Sequence, residues 1–183
     1  HNLTVSITDT TVNAGVLKTI NGITTGLITL SSAVKNLNGT AADVEEALTK
    51  SAAGTEITGI ASDVKVAISG GATVAQINSI AGNTTGLVTA TSVTTVSGTA
   101  ATIGTLFGNE GSSGNKVDLA SNVAVSITGT TATATDLNTI NSIVSGVVNA
   151  SSITVITGAA ADINTVYSAA GDNEFSNLGD EAV

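Results

Sequence analysis

Residues 73–106 contain two helix starts with a strand between them, in the sequence TVAQINSIAGNTTGLVTATSVTTVSGTAATIGTL. Thr73 and Gln76 match a capping box, in which the Thr hydroxyl accepts an N–H of the first helical turn and the Gln side chain accepts the N–H of the cap residue. Apolar residues follow at helical spacing and predict a short amphipathic helix. Residues 87–96 are rich in β-branched residues and predict a strand, after which Gly98-Thr99 begins a second short helix.

The same pattern occurs before and after these residues. Three sets of identical residues are each spaced sixty positions apart: Gly26, Gly86 and Gly146; Ile20, Ile80 and Ile140; and Ser32, Ser92 and Ser152. Spacing of this kind is typical of tandem repeats. We therefore predict a single repeat array over residues 1–183, with units at approximately 1–61, 62–121 and 122–183. Each unit holds two strand–helix half-units and a short third apolar segment.

Helix boundaries recur with the same spacing. Thr40 with Asp43 and Thr133 with Asp136 repeat the capping pattern, and Asn13 is suited to cap a further helix. The three glycines spaced sixty positions apart stand where a C′ glycine would end each first helix. In the second helix of each unit we expect two apolar columns: Val44, Ile103 and Ile163, and beside them Leu48, Phe107 and Tyr167.

Short strands that alternate with short helices favour parallel strand pairing. Together with the repeat, this alternation predicts an α/β solenoid of short parallel strands alternating with short helices, in three copies of a unit of about 60 residues. Its crossovers are expected to be right-handed. The competing interpretation is an all-β sandwich in which the helical stretches are loops. The recurring caps favour the solenoid.

Composition and charge exclude several functional classes. The 183 residues include no Cys, Pro, Met or Trp and only three aromatic residues, so neither a disulfide scaffold nor a thiolate metal site is predicted. The formal net charge of −9 supplies no basic patch for phosphates, which disfavours nucleic acid and anionic membrane surfaces as partners. The apolar runs are too short to span a bilayer, so membrane insertion is not predicted.

Catalytic patterns are nearly absent from the sequence. His1 is the single histidine, so neither a Ser–His–Asp nor a Cys–His arrangement can be built. The pair Glu45-Glu46 is typical of a solvated helix face, since adjacent helical residues do not face each other. No Gly-rich phosphate loop of the right spacing follows a predicted strand. The chain is predicted not to be an enzyme, with no catalytic residue and no required cofactor.

Calcium is the metal that the sequence favours, because oxygen ligands gather at the predicted repeat junctions. The four candidate ligands are Asp172, Glu174, Asp118 and Asp63, and neighbouring oxygen donors are Glu56, Asn109, Glu110, Asn122 and Asn173. Their spacing matches neither the EF-hand loop nor the calcium-binding nonapeptide. The acids also vary among copies, since Glu56 aligns with Lys116. Acidic loops that serve solubility explain the same residues and are the favoured interpretation.

Two further hypotheses concern the threonines and the aromatic residues. Regular Thr ladders on a flat sheet would order water and bind ice, and residues 8–10 match residues 128–130 in having paired Thr. Residues 69–71 read Ser-Gly-Gly and interrupt that ladder. Binding of surface glycans would require exposed aromatics, for which Tyr167 and Phe175 are the candidates. Both hypotheses are less favoured than a structural role.

The run from Thr24-Thr25-Gly26 to Gly39-Thr40-Ala41-Ala42-Asp43-Val44, and the ending Leu178-Gly-Asp-Glu-Ala-Val183, resemble tandem repeats of very large bacterial surface proteins, especially those of cyanobacteria. The resemblance covers essentially the whole chain. It implies secretion and a place in surface layers, adhesins or extracellular fibres. It brings no catalytic residue.

The function predicted from these observations is that of a non-enzymatic structural segment of an extracellular fibre, surface layer or adhesin. Its partners would be copies of itself or further repeats, because exposed end coils of a solenoid are normally capped and neither end shows an obvious cap. The alternative is a carbohydrate- or receptor-binding module of an adhesin or phage tail fibre. Ice binding is the third and least favoured possibility. In every case, the location expected is extracellular or on the cell surface.

Overall fold

The computed structural model describes residues 1–110 and 114–178. Within them the chain forms six helices and thirteen strands, of which β6 and β7 are the longest, with nine and eleven residues. The helices are α1 (Ala14–Ile23), α2 (Ala41–Ala53), α3 (Val74–Asn83), α4 (Ala100–Gly108), α5 (Ala134–Ile143) and α6 (Ala160–Gly171). The strands are β1 (Val5–Ile7), β2 (Thr11–Asn13), β3 (Ile28–Leu30), β4 (Asn36–Thr40), β5 (Ile57–Thr58), β6 (Lys65–Thr73), β7 (Val88–Gly98), β8 (Val117–Leu119), β9 (Ala124–Ile127), β10 (Thr131–Thr133), β11 (Val148–Asn149), β12 (Val155–Thr157) and β13 (Phe175–Ser176).

The architecture is mixed α/β, with parallel strands that alternate with helices. Parallel pairing joins β1 to β3, β3 to β5, β2 to β4 and β4 to β6, and again β7 to β9, β9 to β11, β11 to β13 and β10 to β12. This confirms the predicted class and strand direction. The all-β sandwich was wrong, because the stretches that it treats as loops form helices.

The chain divides into two compact units, and the first comprises residues 1–92 and 116–118. In it, β3 lies between β1 and β5, and β4 lies between β2 and β6. The register places Val12 opposite Leu37 and Leu37 opposite Val66. Helix α2 packs between α1 and α3. The core contains Leu17 and Ile77, which are fully buried.

The second unit comprises residues 93–110, 114–115 and 119–178 of the described chain. Its strand order is β7, β9, β11, β13, with the pair β10–β12 beside it. Val96 lies opposite Val125, which lies opposite Val148. Helix α5 packs between α4 and α6, and the core includes the fully buried Leu137 and Val166.

Five of the six helices begin at a side chain that accepts the N–H of the third helical residue: Asn13 (3.2 Å), Thr40 (3.2 Å), Thr73 (3.1 Å), Thr99 (3.3 Å) and Thr133 (3.1 Å). At Thr73 the box is complete, because Gln76 Oε1 also accepts the Thr73 N–H at 3.0 Å. At α2 and α5 the third residue is an aspartate, which accepts the Thr hydroxyl proton instead. Helix α6 begins at Ala159 without a side-chain cap.

The three glycines spaced sixty positions apart do not end helices in the left-handed conformation, so that prediction was wrong. The helices that precede them finish at Ile23, Asn83 and Ile143, and the next residue in each case is extended. A Cβ built on Gly86 would collide with the carbonyl oxygens of Asp63 and Val64. Gly26 and Gly146 meet the carbonyls of Leu3 and Val123 in the same way. These positions require glycine because another backbone comes too close.

Candidate functional site

The four predicted calcium ligands lie on exposed surface in both units. Asp63 is in the turn before β6, and Asp118 is in β8. Asp172 directly follows α6, and Glu174 accepts a hydrogen bond from Asn141 Nδ2 at 2.6 Å. The described residues contain no group of three or more His, Cys, Asp or Glu side chains placed to hold one metal ion.

The densest cluster of charged side chains lies in the first unit, between α1, α2 and the segment before β5. Lys18 Nζ contacts Asp43 at 3.0 Å and Glu46 at 3.2 Å. Lys50 Nζ contacts Glu46 at 3.1 Å and Glu56 at 2.5 Å. The five side chains form a chain of alternating charges, which we call the ion-pair network.

Hydrogen bonding within the ion-pair network shifts the pKa of each member toward its charged form. The pKa of Lys18 is raised mainly by its hydrogen bond to Asp43, and that of Lys50 mainly by its hydrogen bond to Glu56. The same contacts lower the pKa of Asp43 and of Glu56. The pKa of Glu46 is lowered chiefly by Lys50. The raised lysine pKa values and the lowered carboxyl pKa values all favour the charged forms, so each carboxylate and each ammonium is held ionised.

Sequence reasoning missed most of this network. The sequence places Glu56 among the calcium donors, but its carboxylate accepts from Lys50 and from Asn21 Nδ2, both at 2.5 Å. Glu46 and Lys50 stand at an i,i+4 spacing that the sequence does show. The contacts of Lys18 with α2 depend on how two helices pack, which no local pattern reveals. The network joins three segments of the chain, and each charge in it contacts at least one opposite charge, so we assign it a structural role.

An Asn–Glu hydrogen bond occurs within each of the two units. In the first unit Asn21 of α1 donates to Glu56 before β5, and in the second Asn141 of α5 donates to Glu174 before β13. Beside each bond is an open cleft, of about 330 Å³ along residues 21–26 and about 410 Å³ along residues 141–147. At the intermediate position Lys116 Nζ donates to the carbonyl of Thr84, just after α3. Each of these contacts fastens the end of a helix to the segment that leads into a strand.

The threonines considered for ice binding lie in loops. Residues 8–10 and 128–130 are exposed and connect two strands, whereas residues 69–71 belong to β6. A flat Thr ladder therefore does not form at these matched positions. Of the two aromatic residues considered for glycans, Phe175 is buried and Tyr167 is half-buried.

No protein-family model, curated protein or solved structure matches the chain. The resemblance to repeats of bacterial surface proteins stays a prediction, and the last five residues of the quoted ending lie outside the described residues. None of the helices in the described part of the chain has the length and hydropathy needed to cross a membrane.

Proposed function

We propose that the chain is a non-enzymatic structural segment, an α/β solenoid whose units stack end to end in an extracellular fibre, surface layer or adhesin. The observation that carries the proposal is a contact that occurs once in each compact unit. We call it the seam: the place where a strand and its following helix meet the strand and helix of the next sixty-residue segment.

In the first unit the seam joins β4 to β6 and α2 to α3. Leu37 lies opposite Val66 there, and both side chains are buried. In the second unit the seam joins β7 to β9 and α4 to α5, with Val96 opposite Val125 and both again buried. The same parallel pairing and the same helix pairing are thus used twice.

A contact that can be repeated in this way supports a stacking role. Each seam buries aliphatic side chains and pairs backbone groups, which requires no ligand and no particular polar residue. The caps and close-approach glycines at fixed spacing support the same conclusion, because they keep each segment in the shape that fits the next. The extracellular location rests on the resemblance of residues 24–44 to bacterial surface repeats.

The proposal is tested on the purified 183-residue chain by measuring mass against concentration with light scattering and by negative-stain microscopy. We expect mass to rise with concentration and linear assemblies to appear. A monodisperse monomer up to about millimolar concentration, where even weak contacts of about 4 kcal/mol are half saturated, would contradict it.

A further inference from the structure

The surface formed by β1 and α1, which we call the β1–α1 face, exposes side chains whose counterparts in the seams are buried. Leu3 is 65% exposed, whereas Val64 and Val123 are 0% and 3% exposed. The three residues are equivalent, because their carbonyl oxygens approach Gly26, Gly86 and Gly146 respectively. Leu3 therefore lacks the burial that its two counterparts have.

Val5 and Ile20 are also less buried than their counterparts in the seams. The N–H of Val5 donates to Leu27 O at 3.0 Å, and that of Val66 donates to Leu87 O at 2.8 Å, which makes Val5 and Val66 equivalent. Val5 is half-buried but Val66 is buried. In α1, Ile20 is half-buried, whereas Ile80 and Ile140 are completely buried. The β1–α1 face therefore corresponds to the half of a seam that the later segment supplies, which is β6 and α3 in the first unit.

The surface formed by β12 and α6, which we call the β12–α6 face, also exposes side chains whose counterparts in the seams are buried. The predicted column of Val44, Ile103 and Ile163 is fully buried in α2 and α4 but half-buried in α6. The neighbouring column behaves alike, since Leu48 and Phe107 are buried and Tyr167 is half-buried. Ala160 is exposed where Ala41 and Ala100 are buried. The β12–α6 face therefore corresponds to the half of a seam that the earlier segment supplies, which is β4 and α2 in the first unit.

Strand pairing also indicates that the β12–α6 face is half of a seam. Strand β12 pairs with β10, as β4 pairs with β2. On its other side β4 pairs with β6, while among the described residues β12 has β10 as its one neighbour in its sheet. Within the part of the chain that the structure describes, the β12–α6 face therefore offers a strand edge without a partner next to partly exposed apolar side chains of α6.

We propose that the β1–α1 face of a second copy docks on the β12–α6 face and completes a third seam. The inference rests on the proposed stacking function and specifies its contact. The register follows from the internal seams, in which Val96 lies opposite Val125 and Ser97 opposite Ser126. Ile156 then lies opposite Val5 of the second copy, and Thr157 opposite Ser6.

Cysteine cross-linking tests this register cleanly, because the chain contains no cysteine. Ser6→Cys and Thr157→Cys are purified separately, mixed and oxidised. Because the contact is head to tail, the mixture should form a disulfide dimer of one copy of each variant, and neither variant alone should form a disulfide dimer, although each should still associate non-covalently. The same-chain double variant Ser97→Cys, Ser126→Cys reports whether the seam geometry permits a disulfide. A mixture of Ser6→Cys with Thr29→Cys, an exposed residue of β3, should form no disulfide dimer.

A second variant tests the same contact without a disulfide. Leu3→Lys places a charge where the seam would bury an aliphatic side chain and should weaken association at least tenfold. Leu87→Lys is the matched control, because Leu87 is 47% exposed in the first unit and is not part of the face. Its association should match that of the unmodified chain.

The outcomes separate the inference from the function on which it rests. If the unmodified chain does not associate at all, both proposals are wrong. If it associates but Leu3→Lys and Leu87→Lys associate equally well, the stacking function survives and the assigned faces are wrong. Disulfides within Ser6→Cys alone or Thr157→Cys alone, in place of the mixed dimer, would likewise overturn the head-to-tail register.

Discussion

Gly86 has no room for a Cβ, because the carbonyl oxygens of Asp63 and Val64 occupy the space where one would lie. The hydroxyl of Thr84 strengthens this close approach. It accepts the Gly86 N–H at 2.9 Å and donates to the Val64 carbonyl at 2.6 Å, in a position that is only 2% exposed. The glycine and the threonine together fasten the end of α3 to the segment that precedes β6.

Gly86→Ala is expected to destabilise the protein by about 1–3 kcal/mol, because backbone must move to admit the methyl group. Gly82→Ala is the matched control. Gly82 lies in α3 with nothing near its Cβ position, so the change should stabilise by about 0.5–1 kcal/mol through helix propensity. Urea unfolding of both variants measures the two effects. If the two variants changed the free energy of unfolding by the same small amount and in the same direction, the close approach would not require glycine at position 86.

The ion-pair network gives the first unit a stability that depends on pH. The pKa values of Asp43, Glu46 and Glu56 are lowered by folding, so their contribution is present above about pH 4, the ordinary value for such groups, and is lost as pH falls through the lowered values. The raised pKa values of Lys18 and Lys50 act at the other extreme, and their contribution is lost only as pH rises above about 10.

Lys50→Met should therefore reduce the difference in stability between pH 7 and pH 3. Lys65→Met, at an exposed position in β6, is the control and should leave that difference intact. The urea midpoint at the two pH values is the measurement. The effect should be small and should shrink at high salt, because the network is largely exposed to solvent. An unchanged pH dependence in Lys50→Met would show that the network contributes nothing.

The helices differ mainly in how they start. Short helices of 9 to 13 residues are marginal alone, so caps and packing determine where they form. Ala159 precedes α6 with φ −70° and ψ 145°, close to the −71° and 156° of Thr99 before α4. The backbone at α6 thus has the conformation of a capped helix without the capping side chain.

Ala159→Thr is expected to stabilise the protein by about 0.5–2 kcal/mol, because the new hydroxyl can accept the Asp162 N–H as Thr99 accepts that of Thr102. The same substitution two residues later, Ala161→Thr, is the control. It places a β-branched residue at an exposed position inside the helix and should destabilise by up to about 0.7 kcal/mol. Thermal unfolding distinguishes the two. If both variants were destabilised alike, the hydroxyl at position 159 would not be capping α6.

For the protein as a whole, charge opposes association and buried aliphatic surface favours it. Every copy carries a formal net charge of −9, so copies repel one another over about 10 Å at 0.1 M salt. The proposed faces present mainly aliphatic side chains. Raising the salt concentration should therefore strengthen association of the unmodified chain, which sedimentation across a salt series would measure. Association that weakens with salt would indicate contact through opposite charges instead.

Several local features could be predicted because their causes are local. The caps at Thr40, Thr73 and Thr133 depend on two residues three positions apart, and the helices begin where those pairs predicted. The parallel strands followed from their alternation with helices. By contrast, the predicted role of the sixty-spaced glycines is wrong. The carbonyl that approaches Gly86 belongs to Val64, which lies on the other side of α3 in the sequence.

The spacing of sixty residues, the cap residues and the composition are properties of the sequence alone, because helix starts and strand propensity depend on residues close together along the chain. The partners of Glu56, the space denied to Gly86 and the exposure of Leu3 depend on segments that are distant in sequence and adjacent after folding. Leu3 and Val64 are both plain aliphatic residues in the sequence. Folding buries Val64 completely and leaves Leu3 65% exposed, so one aliphatic residue belongs to the core and the other is a candidate contact.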